Sequence, residues 1–286
     1  MLNNAKLLFT HSFKHWWKHR PYLLAGSLAF YMAFSLGPIL VLTIGAVGFF
    51  FGRQAVEGQL ISQIRTIVGN EVAVLIQDFI KRAYNPPSKT ITTIISVPML
   101  VGGAAMLFFQ IRTALNTMWD IKEEGGSGFS TILKSYGVAY LLLFIISILL
   151  LLLSVLRPLS GLLELNMNEH VAVSPFLFSL LDYGLTVILG AVLISMIYQI
   201  LPQADIKFKD VLLGGAMTSI MVVIAQIIIG WYVKATDLGS AYGAFGAISI
   251  LFLLLLYSGL VFLLGAAFTK VYAENFGSLS GKKQKK

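Results

Sequence analysis

Long stretches without any charged residue constrain this chain more than any other feature. Three of them run from Thr90 to Phe109, from Gly137 to Leu156 and from Leu238 to Thr269, and each of these contains at least 20 residues. A helix of about 20 apolar residues crosses the core of a bilayer. Only 12% of the chain is charged, about half the share that is usual in soluble proteins. The sequence therefore excludes a soluble globular protein and predicts a polytopic membrane protein.

We predict an all-α membrane protein with six transmembrane helices and with both termini in the cytoplasm. The predicted spans, in chain order, cover residues 23–51, 90–109, 132–156, 177–200, 211–233 and 242–269. In this topology 14 of the 21 Lys and Arg residues lie on the cytoplasmic side, as the positive-inside rule requires. Topology then explains most of the net charge of +8, and we expect no nucleic-acid partner.

Three segments lie outside the predicted spans. Residues 1–20 form a basic amphipathic helix in the membrane interface, with an aromatic face of Phe9, Phe13, Trp16 and Trp17. Residues 52–88 carry apolar side chains at three- and four-residue steps, which predicts two amphipathic helices on the outer surface, broken near Gly69-Asn70. The six-helix domain covers residues 21–276, and the Gly-, Ser- and Lys-rich residues 277–286 form a disordered basic tail.

The chain offers little for catalysis. It has no cysteine, and His11, His15 and His19 follow one another at four-residue steps on the N-terminal helix. Such a face could bind a metal, but no carboxylate or further ligand joins it, so we expect these histidines to face solvent or lipid phosphates. The sequence contains neither a phosphate-binding glycine loop nor a credible nucleophile and base. We therefore predict a protein that is not an enzyme, hydrolyses no ATP by itself and has no cofactor or metal.

The first predicted span carries two stripes with a four-residue period. Small residues that allow close helix packing form one stripe: Ala25, Ala29, Ala33 and Gly37. Polar residues form the other: Ser27, Tyr31 and Ser35. The polar stripe either lines a narrow path or hydrogen-bonds to neighbouring helices. The small stripe either packs inside the monomer or joins two copies.

Helix breakers lie near the middle of the first two predicted spans. Pro38 follows Gly37 in the first, and Pro98 precedes Gly102-Gly103 in the second. Breaks of this kind mark the substrate region in many transporters, although Pro and Gly are also ordinary in membrane helices. Both interpretations stay open at this point.

Charge inside the predicted spans is scarce. Asp182 lies near the outer end of the fourth span, and Arg157 ends the third span on the same side. An ion pair between them explains the carboxylate better than a proton site, because a carboxylate at interfacial depth needs no function to account for it.

Four ordered stretches of the sequence resemble the YihY / virulence factor BrkB family of bacterial inner-membrane proteins. They are residues 24–30 with 35–38, residues 113–119, residues 201–202 with 214–216, and residues 242–246 with Tyr257 and 265–266. The resemblance covers about residues 20 to 275 and implies a multi-pass protein of the bacterial inner membrane. Asn116 lies in the second stretch, where it caps or clamps the following turn.

Two properties attached to relatives do not carry over to this chain. Family members usually have an acidic residue after the last Gly-Ala pair, where this chain has Ala267, so a proton-coupled role is not implied. Some relatives have carried the label ribonuclease BN. The sequence contains neither a metal-ligand cluster nor an RNA-binding module in support of it.

We expect the chain to export or translocate a lipid-like or amphiphilic substrate. Broken helices, a polar stripe in a mostly uncharged interior and outer amphipathic helices suit such a substrate better than an inorganic ion, which needs carboxylate or carbonyl rings. The candidate path residues are Ser27, Tyr31, Ser35, Pro38, Pro98, Asn116 and Asp182. The alternative is a non-transporting scaffold or envelope-assembly factor that binds partner helices. The expected partners are membrane lipids, and a homo-oligomer or membrane partner proteins stay open.

Overall fold

The computed structural model describes residues 2–68, 70–84, 102, 106–121, 137, 175–202, 206–236 and 238–280. Its helices are α1 (Leu2–Lys18), α2 (Pro21–Phe51), α3 (Arg53–Val68), α4 (Asn70–Tyr84), α5 (106–118), α6 (Pro175–Ile200), α7 (Phe208–Thr236) and α8 (Leu238–Asn275). These ranges contain no strand, which confirms the predicted all-α class.

Three helices of the described chain are long and apolar enough to cross a membrane. They are Tyr183–Ile200 in α6, Phe208–Tyr232 in α7 and Phe245–Asn275 in α8, and they coincide with the last three predicted spans. The described apolar part of α2, Pro21–Gly37, is shorter. The predicted spans 90–109 and 132–156 lie almost entirely outside the described residues.

The first helix and the end of the last one lie side by side, at what we call the terminal end of the bundle. α1 packs there with Ser12 buried and Trp16 half-buried. Its other face exposes the aromatic side chains Phe9, Phe13 and Trp17. Arg20, in the left-handed region with φ 49°, turns the chain into α2, whose first residue, Pro21, is favoured at that position.

Glycines opposite hydroxyl residues bring α7 and α8 into close contact. A Cβ atom on Gly214 would overlap Thr269, and a Cβ atom on Gly265 would overlap Thr218. Each threonine donates its hydroxyl to the carbonyl of the glycine on its own helix, at 2.6 Å for Thr218 and 2.8 Å for Thr269. A similar relation joins α6 to α7 through Gly190 with Ser219 and Gly215 with Ser195. Small residues let membrane helices approach closely. The hydroxyl side chains of one helix lie in the space that the glycines of the next helix leave free, so they contribute to helix packing.

α3 and α4 fold back along the second half of α2. Gly52 makes the turn after α2 with φ 84°, a conformation that glycine adopts without steric cost. One buried apolar cluster joins the three helices and consists of Leu40, Ile44, Leu60, Ile61, Ala73 and Ile80. The ring of Phe79 on α4 packs directly on Gly37, about 24 Å along α2 from Pro21 at 1.5 Å per residue. The segment predicted as two amphipathic helices is therefore held against the bundle.

Candidate functional site

The polar stripe of α2 reaches the protein surface over only part of its length. Ser27 is half-buried, donates to the carbonyl of Leu24 at 2.8 Å and accepts from Nε2 of Gln110 on α5 at 2.6 Å. Tyr31 is also half-buried. Ser35 is only 1% exposed. The first two positions are therefore accessible, whereas the third lies inside the bundle.

The small-residue stripe of α2 packs against the chain's own helices. Ala25 is fully buried, and a Cβ atom on Gly259 of α8 would lie 3.3 Å from the Ala25 methyl carbon. Ala29 is 2% exposed and Ala33 is half-buried, while Gly37 lies under α4. Of the two alternatives for this stripe, the structure supports packing inside the monomer.

Asn116 lies buried in the last turn of α5, directly before the turn at residues 119–120. The backbone carbonyl of Asn116 accepts from the amides of Trp119 at 3.2 Å and Ile121 at 2.9 Å. Trp119 then donates its indole Nε1–H to the carbonyl of Ala266 on α8 at 2.9 Å, and its ring meets Tyr198 of α6 edge-on. Through these contacts Trp119 packs the turn after α5 onto α6 and α8 at the terminal end.

The remaining predicted site residues are outside what the structure describes. Pro98 and Arg157 lie in undescribed segments. Pro38 is within α2 and Asp182 is within α6, but their side chains are not among the described ones. The Arg157–Asp182 ion pair stays a prediction. The tail predicted to be disordered, residues 277–286, begins with a described turn at 277–280, where the amide of Ser278 donates to Asp210 at 2.7 Å, and its residues 281–286 lie outside the described chain.

An ion cluster lies at the terminal end, where α1, the turn after α5 and α8 meet. Its members are His15, His19, Asp120 and Lys270. Nε2 of His15 donates to the carbonyl of Met118 at 2.7 Å. Nδ1 of His19 donates to the carbonyl of His15 at 2.8 Å, and its Nε2 donates to Oδ1 of Asp120 at 2.7 Å. The cluster thereby ties three separate segments together.

Asp120 is the centre of this ion cluster. It lies in a turn with φ 55°, and its second oxygen accepts from the ammonium group of Lys270, which also lies 3.9 Å from Glu274. Partial burial on its own raises the pKa of Asp120, but the hydrogen bonds from Lys270 and His19 outweigh it and bring the pKa to about 2. Burial lowers the pKa of His15, and the charges of Lys270 and His19 act in the same direction. At neutral pH Asp120 is therefore ionised and His15 is neutral.

The ion cluster corrects the expectation for two of the histidines. From the sequence, His15 and His19 should face solvent or lipid phosphates, but they face Met118 and Asp120 instead. The carboxylate that the helix itself lacks comes from a residue 101 positions further along the chain. A contact across such a separation leaves no periodic signal in the sequence, so spacing alone could not reveal it.

Comparison with known proteins decides the family. The family described as Virulence factor BrkB matches residues 12–286. The chain belongs to this family. Within the described residues, the stretches that carry the BrkB resemblance meet in one buried cluster, which includes Ala25, Leu28, Ala114, Trp119, Leu201 and Ala266.

Curated relatives from other bacteria carry the name UPF0761 membrane protein. The relative from Ralstonia nicotianae is 27% identical over 85% of this chain and 53% of its own length. The relative from Tolumonas auensis is 28% identical over 90% of this chain and 82% of its own length. The chain spans about half the length of several relatives that it matches, and no solved structure matches it. The chain is therefore a membrane protein of the BrkB family.

Proposed function

We propose that this BrkB-family chain translocates a lipid-like or amphiphilic substrate across the bacterial inner membrane along α2. The observation that carries the proposal is the pairing of polar and lipid-facing positions on that helix. Ser27 and Tyr31 are half-buried, while Phe30 and Phe34 beside them are 55% and 50% exposed. An amphiphile has a polar head and an apolar tail, and this surface offers a place to each.

The position of α4 supports the same proposal. Its inner face packs on the bundle, but apolar side chains also point outward, namely Val74, Leu75 and Phe79. Asp78 and Lys81 on the same helix are exposed as well. A helix with this mixture suits the boundary between headgroups and acyl chains. In the proposal, α4 shields the end of the path where it covers Gly37. The break predicted at Pro38 does not interrupt α2, which runs as one helix from Pro21 to Phe51.

The scaffold alternative has less support. A scaffold that binds partner helices needs a free small-residue surface, whereas Ala25 and Ala29 are buried within the chain. Under the transport proposal the chain performs no covalent chemistry and hydrolyses no ATP. The substrate then moves down its own gradient or with energy from a partner.

Leaflet exchange in reconstituted vesicles tests the proposal. Fluorescent phospholipid and lipid A analogues should exchange faster with the protein than in protein-free vesicles. Combining Ser27→Ala with Tyr31→Phe should slow this exchange several-fold, because the polar surface of α2 is removed. The matched control combines Ser249→Ala with Tyr257→Phe, which deletes the same groups from exposed positions of α8.

Two results would contradict the proposal. The first is no exchange above background with protein shown to be folded by its circular dichroism and its elution as a single species. The second is an equal loss of exchange in the α2 and α8 variants, which would show that exchange does not depend on the polar stripe of α2.

A further inference from the structure

The ion cluster brings together three side chains that ligate metals. One ring nitrogen of His15, one of His19 and a carboxylate oxygen of Asp120 all lie within 4.8 Å of one another. We propose that these three residues bind a divalent transition-metal ion of the zinc class. The site is separate from the path proposed along α2, so either proposal can fail without the other.

A backbone carbonyl accepts a hydrogen bond from one ring nitrogen of each histidine. Nε2–H of His15 is committed to the carbonyl of Met118, so the lone pair of the neutral ring lies on Nδ1. Nδ1–H of His19 is committed to the carbonyl of His15, so Nε2, which donates to Asp120, becomes the ligand when the metal ion displaces its proton. Metal-bound histidines almost always donate their other N–H to a carbonyl, carboxylate or water, which fixes the tautomer and the ring. Both rings already have that second partner.

The donor set and its geometry suit zinc. Zinc accepts imidazole nitrogen and carboxylate oxygen at about 2.0–2.1 Å, usually as a tetrahedron, which places the ligand atoms about 3.3 Å apart. Nε2 of His19 and Oδ1 of Asp120 are 2.7 Å apart now, so they separate slightly while His15 moves in. Three protein ligands leave the fourth position for water. Asp120 is 52% exposed, which gives the ion and that water a way in.

Lys270 competes with a metal ion for the carboxylate of Asp120. Its ammonium group neutralises Asp120, and it has a second carboxylate within reach, Glu274 at 3.9 Å on the next turn of α8. A divalent ion at the site displaces the ammonium group from Asp120, and Lys270 then pairs with Glu274. Metal binding therefore replaces the ion pair between Lys270 and Asp120, and the ammonium group of Lys270 keeps a carboxylate partner in Glu274.

The site would lock α1 onto the bundle. His15 and His19 are at the end of α1 and just after it, while Asp120 follows α5 and contacts α8 through Lys270. Coordination of one ion by both segments adds a cross-link that depends on metal. Its expected effect is a higher melting temperature in the presence of zinc.

Cobalt binding to the full-length protein tests the site. Purified without a polyhistidine tag and in detergent micelles, the chain should bind one Co²⁺ with the visible absorption of a tetrahedral site, and Zn²⁺ should displace it. His15→Gln and His19→Gln should each weaken binding more than about tenfold, since even partners of ligands cost 10- to 100-fold. Lys270→Met should tighten binding several-fold, because the competing ammonium group is gone.

His11→Gln is the matched control. His11 lies one turn before His15 on the same face, forms an equally spaced histidine pair, and is exposed; its replacement should leave the affinity unchanged. Equal weakening in the His11 variant would overturn the site and indicate an ordinary surface chelate. Absence of Co²⁺ binding by folded protein would overturn it too, as would weaker binding in Lys270→Met, which would make the cluster an ion pair only.

Discussion

Gly265→Ala is the most direct test of the way α7 and α8 pack. The added methyl group would overlap the hydroxyl of Thr218 and lie 2.8 Å from its Cβ and 2.9 Å from its Cγ2. Because the Cβ atom is fixed to the backbone, a change of rotamer at Thr218 cannot relieve the overlap. The two helices have to move apart along the whole crossing.

The magnitude follows from two opposing contributions. Overpacking a close contact costs about 1–3 kcal/mol, and an overlap with an atom fixed to the backbone belongs at the upper end. Alanine recovers up to about 1 kcal/mol of helix propensity relative to glycine. We therefore expect Gly265→Ala to lower the free energy of unfolding by about 2 kcal/mol. In a Thr218→Gly background the overlap is gone, and the same change should be neutral or stabilising by up to about 1 kcal/mol.

Equilibrium unfolding in mixed detergent micelles, followed by tryptophan fluorescence, measures these differences. Gly230→Ala on α7 is the matched control, because nothing lies within 4 Å of the added methyl group. It should be neutral or slightly stabilising. Equal destabilisation at Gly230 and Gly265, or additive effects of Gly265→Ala and Thr218→Gly, would refute the reciprocal packing.

Three further predictions concern other contacts of the bundle. Trp119→Phe removes the hydrogen bond to the carbonyl of Ala266. In the same unfolding assay it should lower the free energy of unfolding by about 1 kcal/mol. An unchanged free energy of unfolding would show that this hydrogen bond does not stabilise the fold. Asp210→Ala removes the carboxylate that accepts from the amide of Ser278 at 2.7 Å. A protease should therefore cut the chain after α8 faster in this variant than in the control variant Ser280→Ala. Equal cleavage rates in the two variants would contradict the contact. Gly37→Leu should displace the Phe79 ring. The chain has no cysteine, so Ile76→Cys introduces a single thiol on α4, and its maleimide labelling rate should rise when Gly37→Leu is added. An unchanged rate would show that α4 does not pack on α2 at Gly37.

Hydrophobicity and local spacing predict the described helices at both ends of the chain well. The long uncharged run at the C-terminal side becomes α8, and the break near Gly69-Asn70 separates α3 from α4. Both signals are local: an apolar run sets the length of a span, and turn residues end a helix. The three- and four-residue steps in the segment after the first span likewise appear as side chains packed on α2, such as Ile61 and Ile80.

Contacts between distant segments could not be predicted in this way. On α1, spacing places Trp16 with the exposed aromatic residues, yet Trp16 packs on the bundle while Phe13 and Trp17 stay exposed. An amphipathic pattern distinguishes only an apolar face from a polar face, and it does not tell which aromatic residue of the apolar face packs on other helices and which stays exposed. The same limit hides the contact between His19 and Asp120.

The position of the family stretches within the fold bears on how transport could proceed. They come from four parts of the chain, yet all contribute to one buried cluster at the terminal end, where Trp119 bonds to Ala266 and Ala25 lies close to Gly259. A layer held by close contacts of this kind cannot open without separating several helices at once, because packed cores are not continuously deformable. Under the transport proposal, a substrate that passes this end would have to travel beside the layer rather than through it. The accessible polar positions of α2, next to the exposed Phe30, are where such a lateral route would run, and this is why the vesicle experiment targets α2 rather than the buried motifs.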